Sequence, residues 1–107
     1  MPIKFKDKEY WVSRSIAISA FIFANDIEGN TYVLAIKRGK GTPDYQGMYC
    51  CPCGYVDWNE NIYQAACREI KEETGVFLIP SDLEIIGINS SPLENRQNIT
   101  VRLYAFL

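Results

Sequence analysis

Three glutamates, Glu69, Glu72 and Glu73, stand at spacings of i, i+3 and i+4, which would place them on one face of a helix. Carboxylates at these spacings repel one another, and the last turns of a helix already carry partial negative charge. A bound divalent cation would remove both penalties, because carboxylate oxygens are ligands that Mg2+ accepts in proteins. The alternative is a solvated polar face, but such a face normally has acids in its first turn and bases in its last. The order is reversed here, so the helix alone leaves the metal site and the solvated face equally open, and the fixed spacing to Gly54 and Glu60 then favours the metal site.

A helix over residues 62–74 is predicted to carry these acids. Its apolar residues recur at helical spacing and are Ile62, Ala65, Ala66 and Ile70. Asn61 is suited to cap the start of the helix, and Gln64 stands three residues later as its capping-box partner. Gly75 suits the left-handed position just beyond the end. The sequence therefore defines both ends of the element that positions the acids.

The acids belong to a longer constellation that runs from Gly54 to Val76. Its fixed positions are Gly54, Glu60, Arg68, Glu69, Ile70, Glu72, Glu73, Gly75 and Val76. This spacing resembles the Nudix box, every defining position of which is filled here. Residues 32–38 look like the family's strand that ends in a basic residue. Residues 48–54 occupy the place of its approach to the box, with Cys53 instead of the first glycine. The resemblance covers residues 15–107.

The resemblance implies a fold. It implies a single α/β domain, residues 1–107, with a Nudix-like mixed β-sheet flanked by helix as in an α/β/α sandwich. Nudix domains usually continue with another strand and a helix packed on the sheet, whereas this sequence stops on an apolar strand at Leu107. We therefore expect the C-terminal helix to be lacking, through truncation or because a partner supplies that layer. An exposed sheet face would favour a homodimer or aggregation.

The resemblance also implies an activity, namely metal-dependent hydrolysis of a phosphoanhydride bond in a nucleoside diphosphate linked to another moiety. One to three Mg2+ ions, with Mn2+ as an alternative, would be held by Glu69, Glu72 and Glu73, and the Gly54 carbonyl would be a further ligand. Such ions neutralise developing charge and lower the pKa of the attacking water. The implied partner is a nucleotide-type small molecule. Nucleoside triphosphates, ADP-ribose, dinucleotides, dinucleoside polyphosphates and capped RNA all stay open as substrates.

The implied catalytic residues are Glu69, Arg68, Glu72 and Glu73. Glu69 or a nearby carboxylate would take the proton from the attacking water. Glu94, the last carboxylate in the chain, is the alternative base. Arg68 would orient Glu69 or its neighbours rather than touch the substrate.

Four further residues have supporting roles in this reading. Glu60 would brace the loop and the helix, and Gly75 belongs to the same structural part of the box. Arg38 and Lys40 could contact phosphate oxygens of the substrate, or they could lie on a solvated basic loop.

The chain has no histidine. Its absence excludes a Ser-His-Asp or Cys-His nucleophile, zinc bound through histidine, and a histidine general base. Any chemistry must therefore use carboxylates, lysines, arginines, tyrosines or thiols, which suits a hard cation with oxygen ligands.

Four cysteines, Cys50, Cys51, Cys53 and Cys67, could indicate a zinc site or redox chemistry. The adjacent Cys50 and Cys51 would point to opposite faces of an extended segment, and no second Cys-x-x-Cys pair exists. Cysteine is also often buried for packing alone. We therefore favour structural thiols in a cytoplasmic, reducing compartment.

Composition agrees with a small globular domain: 107 residues, 48% of them hydrophobic, with a net charge of −2. This charge argues against a general nucleic-acid or membrane binder, and no apolar window is long enough to span a membrane. The chain also predicts strands over residues 16–23, 31–37, 83–88 and 99–107, with a turn at 25–30 and loops at 38–47 and 89–98.

A competing function class is a non-catalytic domain that keeps the fold to bind a nucleotide or a protein. The intact acid set argues against this class, because a binding module does not need three crowded glutamates. The sequence end at Leu107 argues for it, since family members often draw an extra acid or substrate contacts from beyond that region.

Overall fold

A computed structural model describes residues 1–37, 48–93 and 97–107. The strands are β1 (Pro2–Phe5), β2 (Lys8–Trp11), β3 (Ile16–Asn25), β4 (Thr31–Val33), β5 (Ile36–Lys37), β6 (Tyr49–Cys50), β7 (Cys53–Tyr55), β8 (Glu84–Asn89) and β9 (Ile99–Phe106). Helix α1 spans Ile62–Thr74, and a 3-10 turn spans Pro80–Asp82. Among the described residues, no helix is long and apolar enough to cross a membrane.

A five-stranded mixed sheet forms the centre of the domain. Its main order is β4-β3-β9-β8, and β7 pairs with β3 as well. The long strands β3 and β9 run parallel from the Ile16–Ile99 pair to the Phe23–Phe106 pair. Strands β4, β7 and β8 are antiparallel to their neighbours. Strand β7 lies beside the first half of β3, which brings Gly54 opposite Ile18.

Helix α1 packs on one face of this sheet. The fully buried side chains of the sheet include Ile18, Ile22 and Leu103, and they meet Ala66 and Ile70 of the helix in one core cluster. Small alanines on the helix let its axis approach the sheet closely, and burying each large aliphatic side chain contributes roughly 1.5–3 kcal/mol. The apolar face predicted from the sequence is therefore the face that anchors the helix, which leaves Glu72 exposed and Glu69 and Glu73 beside β7.

The sheet and its single helix agree with the expected Nudix-like α/β fold without a C-terminal helix. In the described ranges α1 is the one α-helix, so one helical layer is present rather than the two of a full α/β/α sandwich. The face of the sheet opposite α1 carries a cluster of aromatic side chains. Within it, the Phe23 and Phe106 ring centroids lie 5.3 Å apart, and the Tyr104 and Phe106 centroids lie 6.0 Å apart.

The predicted strands differ from the observed ones in detail. The segment 31–37 is not one strand, because β4 ends at Val33 and β5 starts at Ile36 on a separate two-stranded sheet with β6. The chain leaves the edge of the main sheet between the two. The strands at 16–23, 83–88 and 99–107 are present with ends shifted by one or two residues, as fraying and hydrogen-bond geometry commonly cause.

An N-terminal hairpin was absent from the sequence prediction. Strands β1 and β2 pair antiparallel, and the two-residue turn between them, Lys6 and Asp7, has positive φ at both residues (50° and 63°). This is the turn geometry that matches the twist of a hairpin. Alternating Ile3 and Phe5 before the turn were a signal for the strand. The surrounding charges concealed that signal.

Candidate active site

The start and end of α1 fix the direction in which its acids project. The Asn61 side chain accepts a hydrogen bond from the Gln64 N–H at 2.8 Å, and the Gln64 side chain accepts one from the Asn61 N–H at 2.9 Å. Gly75 ends the helix with φ of 78°, and its N–H donates to the Lys71 carbonyl. The predicted capping box and left-handed glycine are both confirmed.

Gly54 and Glu69 lie in direct contact across the junction of β7 and α1. A β-carbon added to Gly54 would lie within 3.0 Å of all three carboxyl-group atoms of Glu69. Real β-carbon contacts are essentially never that close, so a side chain at this position would force Glu69 to move. The glycine of the box is thus explained by the close approach of a carboxylate rather than by backbone strain, because its φ is not in the left-handed range.

Arg68 on α1 is the centre of an ion-pair network in this site. Its Nε and Nη2 donate to the two carboxylate oxygens of Glu60 at 3.0 and 2.8 Å. Its Nη1 donates to Glu69 at 2.8 Å and to Glu72 at 3.3 Å. Its Nη2 also donates to the Tyr55 carbonyl at 3.0 Å. One guanidinium therefore ties β7, the following loop and the helix together, as a planar fork allows and an ammonium does not.

The same network shifts the pKa values of Glu60 and Arg68. Hydrogen bonds from Arg68 hold the pKa of the Glu60 carboxyl below its usual range, and the Asp57 N–H, which donates to Glu60 at 2.8 Å, acts in the same direction. The Glu60 side chain is only 14% exposed, so water screens the pair weakly. In return, the hydrogen bonds to Glu60 and Glu69 raise the pKa of Arg68, which stays charged at all accessible pH values.

Glu73 lies on the side of the helix that faces β7. Its carboxylate accepts a hydrogen bond from the Cys53 N–H at 3.0 Å. Cys53 replaces a glycine of the family pattern, yet its backbone is in strand β7 and its φ is not left-handed. A cysteine is therefore compatible with this position, and the replacement leaves the approach to the box extended.

The acids fit a hard divalent cation in chemistry, although they are not gathered around one point. Glu72 is 58% exposed, Glu69 is held by Arg68 and Glu73 by the Cys53 N–H. No three acidic or cysteine side chains in residues 1–37, 48–93 and 97–107 are close enough together to hold an ion. Four carboxylates, Asp57, Glu60, Glu69 and Glu72, nonetheless surround the Arg68 guanidinium. Carboxylate oxygens of this kind are donors that Mg2+ and Mn2+ accept.

Asp57 was not identified from the sequence. Its carboxylate lies 3.4 Å from Arg68 Nη2, and its N–H supports Glu60. A clue was available, because an acid three residues before Glu60 lies in the loop that Glu60 was expected to brace. Arg38 and Lys40, the predicted phosphate contacts, and Glu94, the alternative base, all lie outside the described residues.

The four cysteines are free thiols, and each is partly buried. Burial raises the pKa of the Cys51 and Cys67 thiols, with smaller contributions from Cys50 and from the charge of Asp82 respectively. All four residues are described, and they form no cluster that could hold a metal. A raised pKa also lowers the fraction of each thiol that is ionised and reactive at neutral pH, which supports packing as their role.

Comparison with known proteins identifies the family. A model of the NUDIX domain matches residues 13–107. The chain is 44% identical over 66 residues to an ADP-ribose pyrophosphatase of Methanocaldococcus jannaschii, a match that covers 62% of this chain and 37% of that protein. It is 38% identical over 64 residues to Nudix hydrolase 2 of Arabidopsis thaliana, and this match covers 60% of this chain and 22% of that protein. The chain thus matches less than two-fifths of the length of either curated relative.

Solved structures agree in fold. A MutT/nudix family protein from Enterococcus faecalis superposes with a TM-score of 0.79 and 29% identity, covering 92% of this chain and 38% of that one. The NUDIX domain of Shewanella oneidensis NrtR, solved with ADP ribose, superposes with a TM-score of 0.72 and 22% identity. This match covers 91% of this chain and 62% of that one. The second likeness concerns the fold alone. The match of the family model over residues 13–107 establishes that this chain belongs to the NUDIX domain family.

Proposed function

We propose that this protein hydrolyses a phosphoanhydride bond in a nucleoside diphosphate linked to another moiety, using a divalent metal ion. The observation that carries the proposal is the acid cluster around Arg68, in which four carboxylates contact one guanidinium and Glu73 lies on the same helix beside β7. Membership of the NUDIX domain family and the match to an ADP-ribose pyrophosphatase support the same reaction class. ADP-ribose is therefore the first substrate to test.

Electrostatics explain why a cation is part of this proposal. A diphosphate is strongly negative, and the acid cluster would repel it. Mg2+ or Mn2+ bound between them would neutralise phosphate charge and provide a hydroxide-like nucleophile at neutral pH. Glu69, Glu72 and Glu73, with the Gly54 carbonyl, are the proposed ligands.

The chain's own residues have distinct proposed tasks. Arg68 positions Glu69 through a 2.8 Å hydrogen bond while it is itself held by Glu60. Glu69 is the proposed proton acceptor, because its carboxylate is 14% exposed and lies in a fixed place against Gly54. Glu94 is the alternative base, and Arg38 and Lys40 stay proposed phosphate contacts; the structural description includes none of these three.

Replacing Glu69 with Gln separates the two candidate bases. If Glu69 mainly accepts the proton, kcat falls strongly while apparent metal affinity changes little. If it is mainly a ligand, metal affinity falls with the rate and excess metal restores part of the loss. A Glu94→Gln variant that loses as much activity as Glu69→Gln, with metal binding intact, would assign the base to Glu94.

The experiment that tests the function is a product-release assay over a panel of nucleotides. The panel contains ADP-ribose, dinucleotides, dinucleoside polyphosphates, nucleoside triphosphates and capped RNA, each with Mg2+ and with Mn2+. Turnover that requires metal and disappears in Glu73→Gln supports the proposal. A protein that turns over no panel member and binds Mn2+ no better than Glu73→Gln would be a non-catalytic binding module.

Two further parts of the proposal concern setting and assembly. Four free thiols support a cytoplasmic, reducing compartment.

Exposed aromatic residues on the sheet face opposite α1, such as Phe106 at 61% exposure, support a homodimer that covers them. Sedimentation analysis tests the second statement directly.

A further inference from the structure

A cavity of about 880 Å3 lies where the N-terminal hairpin meets the main sheet. Its walls include the end of β2, the segment between β2 and β3, the end of β7 and the residues just before β9. Lining residues include Trp11, Val12, Ser13, Tyr55 and Asn98. The volume is within the range of sites that bind small molecules, which is roughly 300–1,000 Å3.

The walls combine two aromatic rings with neutral polar groups. Trp11 is 75% exposed and Tyr55 is 52% exposed, so both rings are accessible to a ligand. Ser13, Gln97 and Asn98 supply hydroxyl and amide groups that can donate and accept hydrogen bonds. Aromatic faces with neutral amides at their edge are suited to a flat heterocycle, because stacking and edge hydrogen bonds act on it together.

The charged groups at the cavity are held by the main chain. Arg14 donates from Nε to the Gln97 carbonyl at 2.8 Å, and from its other two nitrogens to the Ser90 and Ser91 carbonyls at 2.9 and 3.3 Å. The Met1 ammonium donates to the Val12 carbonyl at 2.7 Å. All three nitrogens of the Arg14 guanidinium therefore already donate to main-chain carbonyls, so Arg14 is not positioned to bind a phosphate. No carboxylate is among the described lining residues, so the cavity does not suit a cation.

We propose that this cavity binds the nucleobase of the substrate, stacked on Trp11 and Tyr55. Tyr55 connects the cavity to the acid cluster, because it is one of the lining residues and its carbonyl accepts a hydrogen bond from Arg68 Nη2 at 3.0 Å. Arg68 Nη1 in turn contacts Glu69 at 2.8 Å. A base held here would therefore lie next to the residue that contacts Arg68 of the acid cluster. The inference rests on the proposed function for the identity of the substrate and adds to it the residues that recognise the base.

Tryptophan fluorescence tests the cavity without requiring turnover. The chain has two tryptophans, Trp11 and Trp58, so a Trp58→Phe variant reports on Trp11 alone. In metal-free buffer we expect saturable quenching by at least one of adenosine, guanosine, cytidine and uridine, and no quenching by ribose 5-phosphate. Quenching by none of the nucleosides, or equal quenching by ribose 5-phosphate, overturns the proposal.

Kinetics provide the second test, with a matched control on the same strand. Trp11→Ala should raise KM for the best panel substrate roughly 5- to 150-fold, as loss of one base–aromatic stack predicts, with kcat little changed. Trp11→Phe should recover part of the loss. Tyr10→Ala should behave as wild type, because Tyr10 is the neighbouring exposed aromatic and is not among the residues lining the cavity. An unchanged KM in Trp11→Ala overturns the proposal.

The two tests separate this inference from the proposed function. Nucleoside quenching in a protein that hydrolyses no panel substrate supports the base site and overturns the hydrolase assignment. Hydrolysis without nucleoside quenching, and without a KM effect of Trp11→Ala, supports the hydrolase and overturns the base site.

Discussion

The carboxylate of Glu69 occupies the space beside Gly54 where any other residue would place its β-carbon. The two residues are fifteen positions apart, on α1 and β7, and the contact exists because β7 pairs with β3 while α1 packs over it. Arg68 Nη1 donates a hydrogen bond to an oxygen of the same carboxylate at 2.8 Å. The Gly54 main chain and the Arg68 guanidinium therefore confine Glu69, which is the preorganisation that its proposed catalytic role would need.

Gly54→Ala should reduce kcat/KM at least tenfold while the fold survives. The new methyl group would force the Glu69 carboxylate away from its place and from Arg68, but a flexible side chain can move at a cost of about 1 kcal/mol. Gly87→Ala is the matched control, since an added β-carbon there meets nothing within 4 Å. Steady-state kinetics and thermal unfolding measure both effects. Wild-type activity in Gly54→Ala would show that the position of Glu69 does not matter.

Glu72→Gln and Glu73→Gln should both lose turnover and Mn2+ affinity, yet they should differ in stability. The contact of exposed Glu72 with Arg68 is worth only about 0.3–0.5 kcal/mol, and its loss also removes repulsion between acids. The Glu73 carboxylate accepts a charge-assisted hydrogen bond from the Cys53 N–H, so its neutral replacement should cost about 1 kcal/mol. Urea unfolding in metal-free buffer and metal titration measure the two properties. Glu28→Gln, on an exposed turn, is the charge-matched control; near wild-type turnover in both site variants contradicts the metal assignment.

Arg68→Lys should not be conservative. A lysine cannot make the two-pronged contact with Glu60 and reach Glu69 at the same time. We expect a loss of about 2 kcal/mol in unfolding free energy and at least tenfold in kcat, with KM less affected. Arg102→Lys on β9, where the arginine is exposed, controls for the substitution itself. Full activity in Arg68→Lys would mean that Glu69 is positioned by other groups.

Glu60 should contribute an acid-sensitive part of the stability. Because its pKa is lower in the folded chain than in the unfolded chain, its contribution is complete above the unfolded value of about 4.3 and is lost as pH falls through the folded value. The difference in melting temperature between wild type and Glu60→Gln should therefore shrink as pH is lowered from about 5 toward 2. A difference that stays constant over this range would exclude the Arg68–Glu60 pair as its cause.

The thiols should behave as packed, metal-free side chains. All four should react with a thiol reagent after denaturation without reductant, because all are free. In the native protein Cys51 and Cys67 should react slowly at neutral pH and faster as pH rises, since burial raises their pKa. Mass spectrometry of labelled peptides measures this order. One zinc per chain by elemental analysis would contradict the structural role.

The sequence alone determined the helix, its ends and the family. The repeat of Ile62, Ala65, Ala66 and Ile70 is local, and so are the cap at Asn61 and the glycine at its other end, so residue type and spacing suffice to predict them. The family could likewise be predicted from the spacing of residues 54–76, because these residues form one continuous loop and helix. The parallel pairing of β3 with β9 could not be predicted, since it joins residues more than eighty positions apart.

Only the tertiary structure decided which groups contact the three glutamates. Sequence spacing placed Glu69, Glu72 and Glu73 on one face, where neighbouring bases were expected to offset only some of the repulsion. The fold shows that Arg68 relieves part of it and that the Cys53 N–H engages Glu73. Cys53 belongs to β7, whose position depends on β3, and local patterns carry no information about a neighbour brought in by packing. The cavity beside Trp11 has the same origin, because its walls are joined only when the hairpin meets the sheet.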